Sequence, residues 1–299
     1  MIKNILAIRT DRFGEFLLNI PALRALKETY PNARLFLAVN RMVSELAGAV
    51  ECVDEVLIWD QIKNNLRKYR FDLCVVLNPT KEAHWAVFWA GIPARVGYNR
   101  KGGILLTHKI GDNKDLGLKH EVESNLELVG LIGVRTNDKS ISLRKLPPYN
   151  DPTYAGSIAI HPYTSDALKQ WGFARFQQLA MKISDELGLR VVIIGRDEGG
   201  VKGVVKENQK IKDLVNKTSL VELAQILKQC KLLVTGDSGP MHLAAAVGTQ
   251  VVALFRNDLP GKTARRWGPW GNGHTVIEKS NLSDITVDEV FDAIKKITH

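Results

Sequence analysis

The sequence predicts an α/β protein with two doubly wound domains, each a parallel sheet with helices on both faces. Short apolar runs rich in β-branched residues alternate with helix-like patterns along all 299 residues, which is typical of buried parallel strands. A proline-rich segment at residues 145–152 suits neither a regular helix nor a central strand, and the alternation restarts after it. The length suits two domains of roughly 150 residues each. We therefore expect domains at residues 1–150 and 151–299.

The first half is expected to form four strands and five helices. The predicted strands are residues 5–9, 34–39, 55–59 and 72–77, and the predicted helices are residues 16–30, 43–50, 61–69, 82–91 and 121–132. Each strand is short and continuously apolar, as expected for strands buried on both faces.

The second half repeats this alternation. The predicted strands are residues 157–161, 190–195, 213–215, 231–235 and 251–255, and the predicted helices are residues 175–187, 200–209, 220–230, a segment ending at Gly248, and 287–297. The last helix is amphipathic. It packs either within its own domain or back on the first domain. Ligands of such sheets bind outside the carboxyl ends of the strands, so two facing domains would form a binding cleft.

Composition favours a cytoplasmic globular protein. Hydrophobic residues make up 45% of the chain and charged residues 24%, which is ordinary for that class. Cys52, Cys74 and Cys230 form no C-x-x-C pair, so they indicate buried thiols in a reducing compartment. The apolar start at residues 1–8 is too short for a signal peptide. No run approaches the ~20 apolar residues that span a bilayer.

The formal net charge of +9 is unevenly distributed. Residues 1–150 carry 22 Lys and Arg against 16 Asp and Glu, and residues 151–299 carry 19 against 16. Basic clusters lie at residues 63–70 and 95–119, and such charge favours phosphorylated glycans, anionic lipid or nucleic acid. Ordinary solvated lysines are the alternative. Nucleic-acid binding ranks low because few aromatic residues accompany the clusters.

The most informative stretch is residues 231–248. An apolar strand stops at Gly236, the capping-type residues Asp237 and Ser238 follow, and Pro240 pre-sets a first helical turn. Gly248 then supplies the helix stop. The free N–H groups at such a helix start favour a bound phosphate, whereas the alternative is an ordinary capped strand–helix corner.

Several common catalytic motifs do not occur in the sequence. It has no D-x-D, H-E-x-x-H, paired C-x-x-C or G-x-x-x-x-G-K-[ST] motif, which argues against a metal–diphosphate site, zinc hydrolysis and P-loop chemistry. Gly14 stands alone after the first strand, so a nicotinamide-binding G-x-G-x-x-G is also lacking. We therefore expect neither a metal nor a cofactor.

Three segments together resemble glycosyltransferase family 9, the heptosyltransferases of the lipopolysaccharide inner core. The first is residues 5–23, with an opening strand, a Gly-containing turn and a first helix. The second runs from His161 to Trp171 and on to Arg175-Phe176. The third, residues 236–248, is similar to the family's D-[ST]-G-x-x-H turn. The resemblance spans nearly the whole chain.

The resemblance implies a GT-B fold, in which two Rossmann-like domains face each other across a cleft. It places the nucleotide-sugar donor on the C-terminal domain and the acceptor on the N-terminal one. The implied reaction is inverting, metal-independent transfer of heptose from ADP-heptose to a lipopolysaccharide inner-core acceptor. The basic first half would face an anionic membrane surface on the cytoplasmic side of the inner membrane. A sugar-nucleotide epimerase of the same architecture is the alternative.

The resemblance also suggests the catalytic base, with one departure. The family has Asp after the Gly of the first turn, and this chain has Glu15 there. Glu15 is expected to deprotonate the acceptor, although a displacement near 1 Å can cost on the order of 100-fold in rate. Asp11 is the alternative base, and Glu15 would then only complement the helix N-terminus.

The remaining expectations concern binding. The family's lysine equivalent to Lys169 lies at the donor phosphate, so Lys169 is expected there and is counted with the catalytic residues. Asp237 is expected to shape its turn or touch sugar hydroxyls, and Glu198, rather than Asp197, is expected to hold the ribose. The residues expected to bind the donor are Thr164, Ser165, Lys169, Glu198, Asp237, Ser238, Gly239, Met241 and His242. Those expected at the acceptor are Arg9, Arg12 and Gly14.

Overall fold

The computed structural model describes residues 1–149, 151–164, 166–197 and 208–298. The chain divides into two compact units, Met1–Leu146 and a second that begins at Pro147. The division falls inside the proline-rich segment that the sequence marks as a linker. The helix predicted at residues 200–209 lies almost entirely outside the described residues.

The N-terminal unit contains twelve strands and α-helices within residues 1–149. They are β1 (Asn4–Ile8), α1 (Phe13–Leu17), α2 (Ile20–Thr29), β2 (Arg34–Val39), α3 (Ser44–Ala47), β3 (Glu55–Ile58), α4 (Trp59–Ile62), β4 (Leu73–Val76), α5 (Lys81–Trp89), β5 (Ala94–Tyr98), β6 (His108–Ile110) and α6 (Glu121–Gly130). Short 3₁₀ turns connect several of them, including Leu66–Tyr69 and Gly103–Leu105.

The first sheet is entirely parallel, with the strand order β3-β2-β1-β4-β5-β6. This is the Rossmann order, and its topological switch point lies between β1 and β4. The sequence-based prediction missed β5 and β6. Gly97 interrupts the apolar pattern of β5, and the three-residue edge strand β6 exposes His108 and Lys109, so neither shows an apolar run.

The prediction of one long helix at residues 16–30 is wrong in one respect, because the structure contains two helices there, α1 and α2. Pro21 is the second residue of α2. A proline within a continuous helix would lose one backbone hydrogen bond and clash with the carbonyl four residues earlier. The chain therefore ends one helix at Leu17 and begins another at Ile20. The predictions at residues 43–50 and 61–69 also differ from the structure, which has one short α-helical turn and one short 3₁₀ turn in each region.

Both faces of the first sheet are buried. Leu6 and Ile8 of β1 pack in one apolar cluster with residues of α4 and α5. Ile5 and Ala7 alternate with them and therefore point to the opposite face, where they too are buried. The continuous apolar strands in the sequence reflect this two-sided cover.

The described residues of the C-terminal unit form eleven strands and α-helices. They are β7 (Ile158–His161), α7 (Phe173–Glu186), β8 (Val191–Ile193), β9 (Ile211–Asp213), α8 (Leu220–Gln229), β10 (Leu232–Gly236), α9 (Gly239–Ala246), β11 (Gln250–Arg256), α10 (Ala264–Trp267), β12 (Thr275–Lys279) and α11 (Val287–Thr298). The strand predicted at residues 213–215 lies two residues earlier, and β12, with alternating partly exposed residues, was not predicted.

The second sheet repeats the topology of the first. Its parallel strands, among the described residues, follow the order β12-β11-β10-β7-β8-β9. Counted within this unit, that is again the Rossmann order, and the switch point lies between β7 and β10. Two Rossmann-like sheets are therefore present, as the alternation predicts.

One face of the second sheet is covered by α7 and α11. Phe176 and Ile183 of α7 and Phe291 of α11 share one buried cluster with the strands. Trp171 lies in the same cluster, 1% exposed, and its indole N–H donates to the carbonyl of Ile285 at 2.8 Å. These contacts hold the loop after β7 in place, close to the switch point.

Candidate active site

In the N-terminal unit, the turn after β1 is fixed to the switch point by Arg9. The buried Arg9 side chain donates from Nε to Asp11 Oδ1 at 2.6 Å and from Nη1 to the carbonyl of Leu77, directly after β4, at 3.2 Å. Burial acts to lower the pKa of Arg9, but the attraction of Asp11 and Glu121 outweighs it and the pKa is raised. Arg9 therefore remains a cation at the carboxyl end of β1.

Glu15 follows on the first turn of α1, where an acidic side chain complements the helix N-terminus. Burial raises the pKa of Glu15, and the nearby Asp11 carboxylate raises it further, against the opposing effects of its backbone hydrogen bond, Arg9 and Arg12. A carboxylate with a raised pKa is a stronger base than an exposed glutamate. Glu15 thus has the electrostatic setting of a general base.

The two arginines expected at the acceptor differ in their surroundings. Arg9 is only 4% exposed, and its guanidinium is engaged by Asp11 and Leu77. Arg12, the N-cap of α1, is exposed, and Gly14 behind it is buried. Arg9 therefore shapes the turn, and of the two only Arg12 presents its side chain to a ligand from solvent.

In the C-terminal unit, Lys169 and Asp237 form an ion pair between Nζ and Oδ2. Lys169 ends a 3₁₀ turn in the loop after β7, and Asp237 follows β10. The two side chains are 23% and 12% exposed. The pair therefore joins the loops on either side of the second switch point, where Rossmann-like sheets bind ligands.

The expected side-chain cap of α9 is wrong. Ser238 is the N-cap residue, but its side chain accepts no hydrogen bond from the helix. Its hydroxyl instead contacts Thr235 Oγ1 at 2.9 Å, and Thr235 Oγ1 also lies 3.1 Å from His161 Nδ1. The Asp237 carboxylate pairs with the Lys169 ammonium group, a stronger partner than a peptide N–H.

The helix start offers fewer donors than the sequence suggests. The N–H of Met241 already donates to the carbonyl of Ser238 at 3.2 Å, so it is no longer counted toward a ligand. Met241 and His242 are both buried in the first turn of α9. The N–H of Met241 is thereby removed from the expected anion donors, whereas the N–H groups of Ser238 and Gly239 precede the first intrahelical bonds.

Sequence reasoning missed two cations beside Lys169. Arg256, the last residue of β11, and Lys262 line a small open pocket together with Lys169 and Asp237. Arg256 forms a two-point contact with Asp258, at 2.9 and 2.6 Å, and Lys262 lies 3.6 Å from Asp166. The position of Arg256 at a strand's carboxyl end was the available signal.

A second group of side chains borders the end of β8. Gly195 has φ +140°, and a Cβ there would approach the Tyr163 ring to 2.5 Å, so glycine permits this contact. The N–H of Asp197 donates to Asn216 Oδ1 at 3.1 Å. Thr164 directly follows Tyr163 in the chain. Its hydroxyl accepts a hydrogen bond from the N–H of Asp166 at 3.2 Å. The predicted site residues Ser165 and Glu198 lie outside the described residues.

Two kinds of feature are absent from the described part of the chain. No group of three or more His, Cys, Asp or Glu side chains there could hold a metal ion. No helix there combines the length and apolar character needed to cross a bilayer.

A comparison with protein families gives a match from residue 59 to residue 291, to the model described as glycosyltransferase family 9 (heptosyltransferase). This match covers more than half of the chain. The chain belongs to glycosyltransferase family 9. Membership makes this protein a glycosyltransferase, as expected, rather than the epimerase that was the alternative.

Individual relatives agree with this assignment. The family 9 enzyme is 34% identical over 132 residues to lipooligosaccharide heptosyltransferase 2 of Campylobacter jejuni, an alignment that covers 42% of this chain and 40% of that protein. It is 26% identical over 320 residues to lipopolysaccharide heptosyltransferase 3 of Escherichia coli K12, covering 95% and 90%.

A solved structure, ADP-heptose lps heptosyltransferase II of Escherichia coli, matches with a TM-score of 0.81 at 22% identity, over 99% of this chain and 98% of that one. At this identity the match establishes the fold. The expectation of a GT-B fold class is confirmed.

Because His161 of this family 9 enzyme is buried, we expect the free energy of unfolding to depend on pH. Burial lowers the pKa of His161 to about 4, against about 6.5 in an unfolded chain. As the pH falls from about 6.5 to about 4, only the unfolded state takes up this proton, so about 3 kcal/mol of stability is lost. Urea unfolding at several pH values is expected to show a shallower pH dependence for His161→Gln.

The unsubstituted protein, unfolded at the same pH values, is the reference for this comparison. An NMR titration of the unsubstituted protein tests the same point if the variant folds poorly. A His161 ring that titrates near pH 6.5 contradicts the prediction.

Proposed function

We propose that this enzyme is an inverting, metal-independent heptosyltransferase that uses ADP-heptose and a lipopolysaccharide inner-core acceptor. The observation that carries the proposal is the Lys169–Asp237 pair beside the start of α9, at the second switch point of a family 9 protein. The choice of substrates is supported by two relatives. The matched Escherichia coli structure is that of an ADP-heptose lps heptosyltransferase, and the K12 relative is a lipopolysaccharide heptosyltransferase.

The C-terminal unit is proposed to hold the donor. When the bond from the anomeric carbon to the diphosphate oxygen breaks, negative charge grows on the departing ADP. The Lys169 ammonium group and the N–H groups of Ser238 and Gly239 lie together to meet that charge, and such pre-positioned donors stabilise a transition state. Asp237 holds the Lys169 side chain in place, and its own carboxylate suits the sugar hydroxyls rather than phosphate.

The N-terminal unit is proposed to bind the acceptor and supply the base. Glu15 takes the proton of the acceptor hydroxyl as its oxygen bonds to the anomeric carbon, and ADP leaves from the opposite face, which inverts the configuration. The raised pKa of Glu15 supports this role. Arg9 positions the turn, and exposed Arg12 is suited to an acidic group of the acceptor.

Metal independence is supported by the charges that the chain itself supplies. A divalent cation in a glycosyltransferase neutralises the leaving diphosphate, and Lys169 with the α9 N-terminus offers positive charge in that place. Arg256 and Lys262 add positive charge to the same pocket. We also propose that the enzyme works at the cytoplasmic face of the inner membrane, where an inner-core acceptor anchored in lipid would be met.

Nucleotide selectivity tests the donor assignment. ADP, present at ~100 times its dissociation constant, is expected to stabilise the enzyme by about 2.7 kcal/mol, whereas UDP, GDP and CMP give little change. A thermal-shift series over the four nucleotides measures this. Transfer rates with and without EDTA then test whether transfer requires a metal ion. A rate that vanishes with EDTA contradicts metal independence. Stabilisation by UDP or GDP instead of ADP would reassign the donor.

A further inference from the structure

The outer face of α5 carries three exposed aromatic side chains. Trp85, Phe88 and Trp89 are 46%, 38% and 63% exposed. Their spacing of three and four residues places them on one helix face, with ring centroids 5.7 to 6.1 Å apart. Ala83 and Val87 on the other face are buried. We call Trp85, Phe88 and Trp89 the α5 aromatic patch; a contiguous exposed patch of this kind marks an interaction site.

Cations border the α5 aromatic patch. The Arg95 guanidinium lies 5.6 Å from the Phe88 ring centroid, and Arg67 Nε donates to the carbonyl of Trp89 at 3.0 Å. Lys68 is exposed beside Arg67. Residues 61–120 contain 11 Lys and Arg against 4 Asp and Glu. Arg95 and Arg67 therefore place positive charge directly beside the aromatic rings, in a stretch of the chain that is basic overall.

The connection between β5 and β6 carries a further exposed apolar side chain. Ile104 is 81% exposed in the 3₁₀ turn Gly103–Leu105. That turn is held to α5 because His84 Nδ1 lies 3.0 Å from the carbonyl of Lys101, and to Arg95, whose Nε donates to the carbonyl of Leu105 at 2.7 Å. The turn therefore lies beside α5 and presents the exposed side chains of Ile104 and Lys101.

We infer that the α5 aromatic patch and its basic border form the surface by which the enzyme docks on an anionic lipid bilayer. Indole rings are favoured at the boundary between hydrocarbon and headgroups, since one end of the ring is apolar and the other polar. Lysine and arginine beside them are attracted to acidic lipid headgroups. The charge of the border fits a bilayer of acidic lipids. The inference rests on the proposed function only for the lipid-anchored acceptor that gives docking its use.

Flotation of the full-length enzyme with phosphatidylglycerol–phosphatidylethanolamine vesicles tests the inference. The double substitution Trp85→Ser and Trp89→Ser is expected to weaken binding at least about tenfold, which corresponds to about 1.4 kcal/mol. Lys68→Glu is expected to weaken it at least about fivefold. Met181→Ser and Lys212→Glu are the matched controls, because both residues are exposed in the C-terminal unit, and both are expected to bind as the unsubstituted enzyme does.

A second measurement tests whether the aromatic rings themselves enter the lipid. Vesicles with brominated acyl chains are expected to quench the tryptophan emission of the enzyme, and the double variant Trp85→Phe and Trp89→Phe is expected to lose most of that quenching. Transfer to a water-soluble acceptor should remain unchanged in every patch variant, which separates failed docking from failed catalysis. Unchanged vesicle binding overturns the inference, as does a patch substitution that alters only self-association in light scattering.

Discussion

Replacing Glu15 by glutamine is expected to lower the rate of sugar transfer by about 10²- to 10⁴-fold, the usual contribution of a general base. Glutamine keeps the shape of the side chain but cannot accept the proton of the acceptor hydroxyl. ADP binding, measured by calorimetry, should be nearly unchanged, because Glu15 belongs to the N-terminal unit and the proposed donor residues to the other. Glu28→Gln, an exposed glutamate on α2, is the matched control.

The pH–rate profile adds a test that distinguishes Glu15 from Asp11. A base must be ionised, so the rate should fall as the pH drops through the pKa of Glu15, which burial and the Asp11 charge hold above its ordinary value. Asp11→Asn removes one raising influence and should move this acidic limb to lower pH while transfer persists. Equal rates for Glu15→Gln and the unsubstituted enzyme, with transfer lost in Asp11→Asn, would assign the base to Asp11.

Replacing Lys169 by alanine is expected to lower transfer by about 10²- to 10³-fold, the usual effect of removing one donor that stabilises developing negative charge. The loss should fall mainly on kcat, since the charge on the leaving diphosphate is greatest in the transition state. The variant also leaves the partly buried Asp237 carboxylate without its cation. Steady-state kinetics with varied donor concentration measure both parameters.

Two further variants serve as comparisons for Lys169→Ala. Lys212→Ala removes an exposed lysine from β9 and is expected to leave kcat and KM unchanged. Asp237→Asn retains the Lys169 side chain but removes its ion-pair partner, so a smaller loss than in Lys169→Ala is expected. If Lys169→Ala raises KM alone, the lysine binds the donor without stabilising the transition state, and the proposed role is wrong.

Much of the fold was accessible from the sequence, with failures at identifiable places. Strands buried on both faces, such as β1 and β10, appear as continuous apolar runs and were predicted within one or two residues. The edge strand β6 and the partly exposed β12 were not, because a strand with solvent on one side carries polar residues. The break between α1 and α2 was missed although Pro21 signals it.

The candidate site was partly predictable. Through the resemblance of three short segments to family 9, the sequence singled out Glu15, Lys169 and the turn before α9 as candidates. It did not show that Arg9 is buried against Leu77, or that Asp237 forms an ion pair with Lys169. Those outcomes depend on which side chain from another strand arrives at the same place.

The sequence by itself determined the two alternating α/β halves and the strand–turn–helix corner at residues 231–248, because periodicity, proline and glycine act over a few neighbouring residues. Only the tertiary structure decided the contacts across the switch points. Arg9 and the Leu77 carbonyl, like Lys169 and Asp237, lie 68 residues apart in the chain, and His161 and Thr235 lie 74 apart. They meet because β1 pairs with β4 and β7 with β10, bringing the carboxyl ends of distant strands side by side.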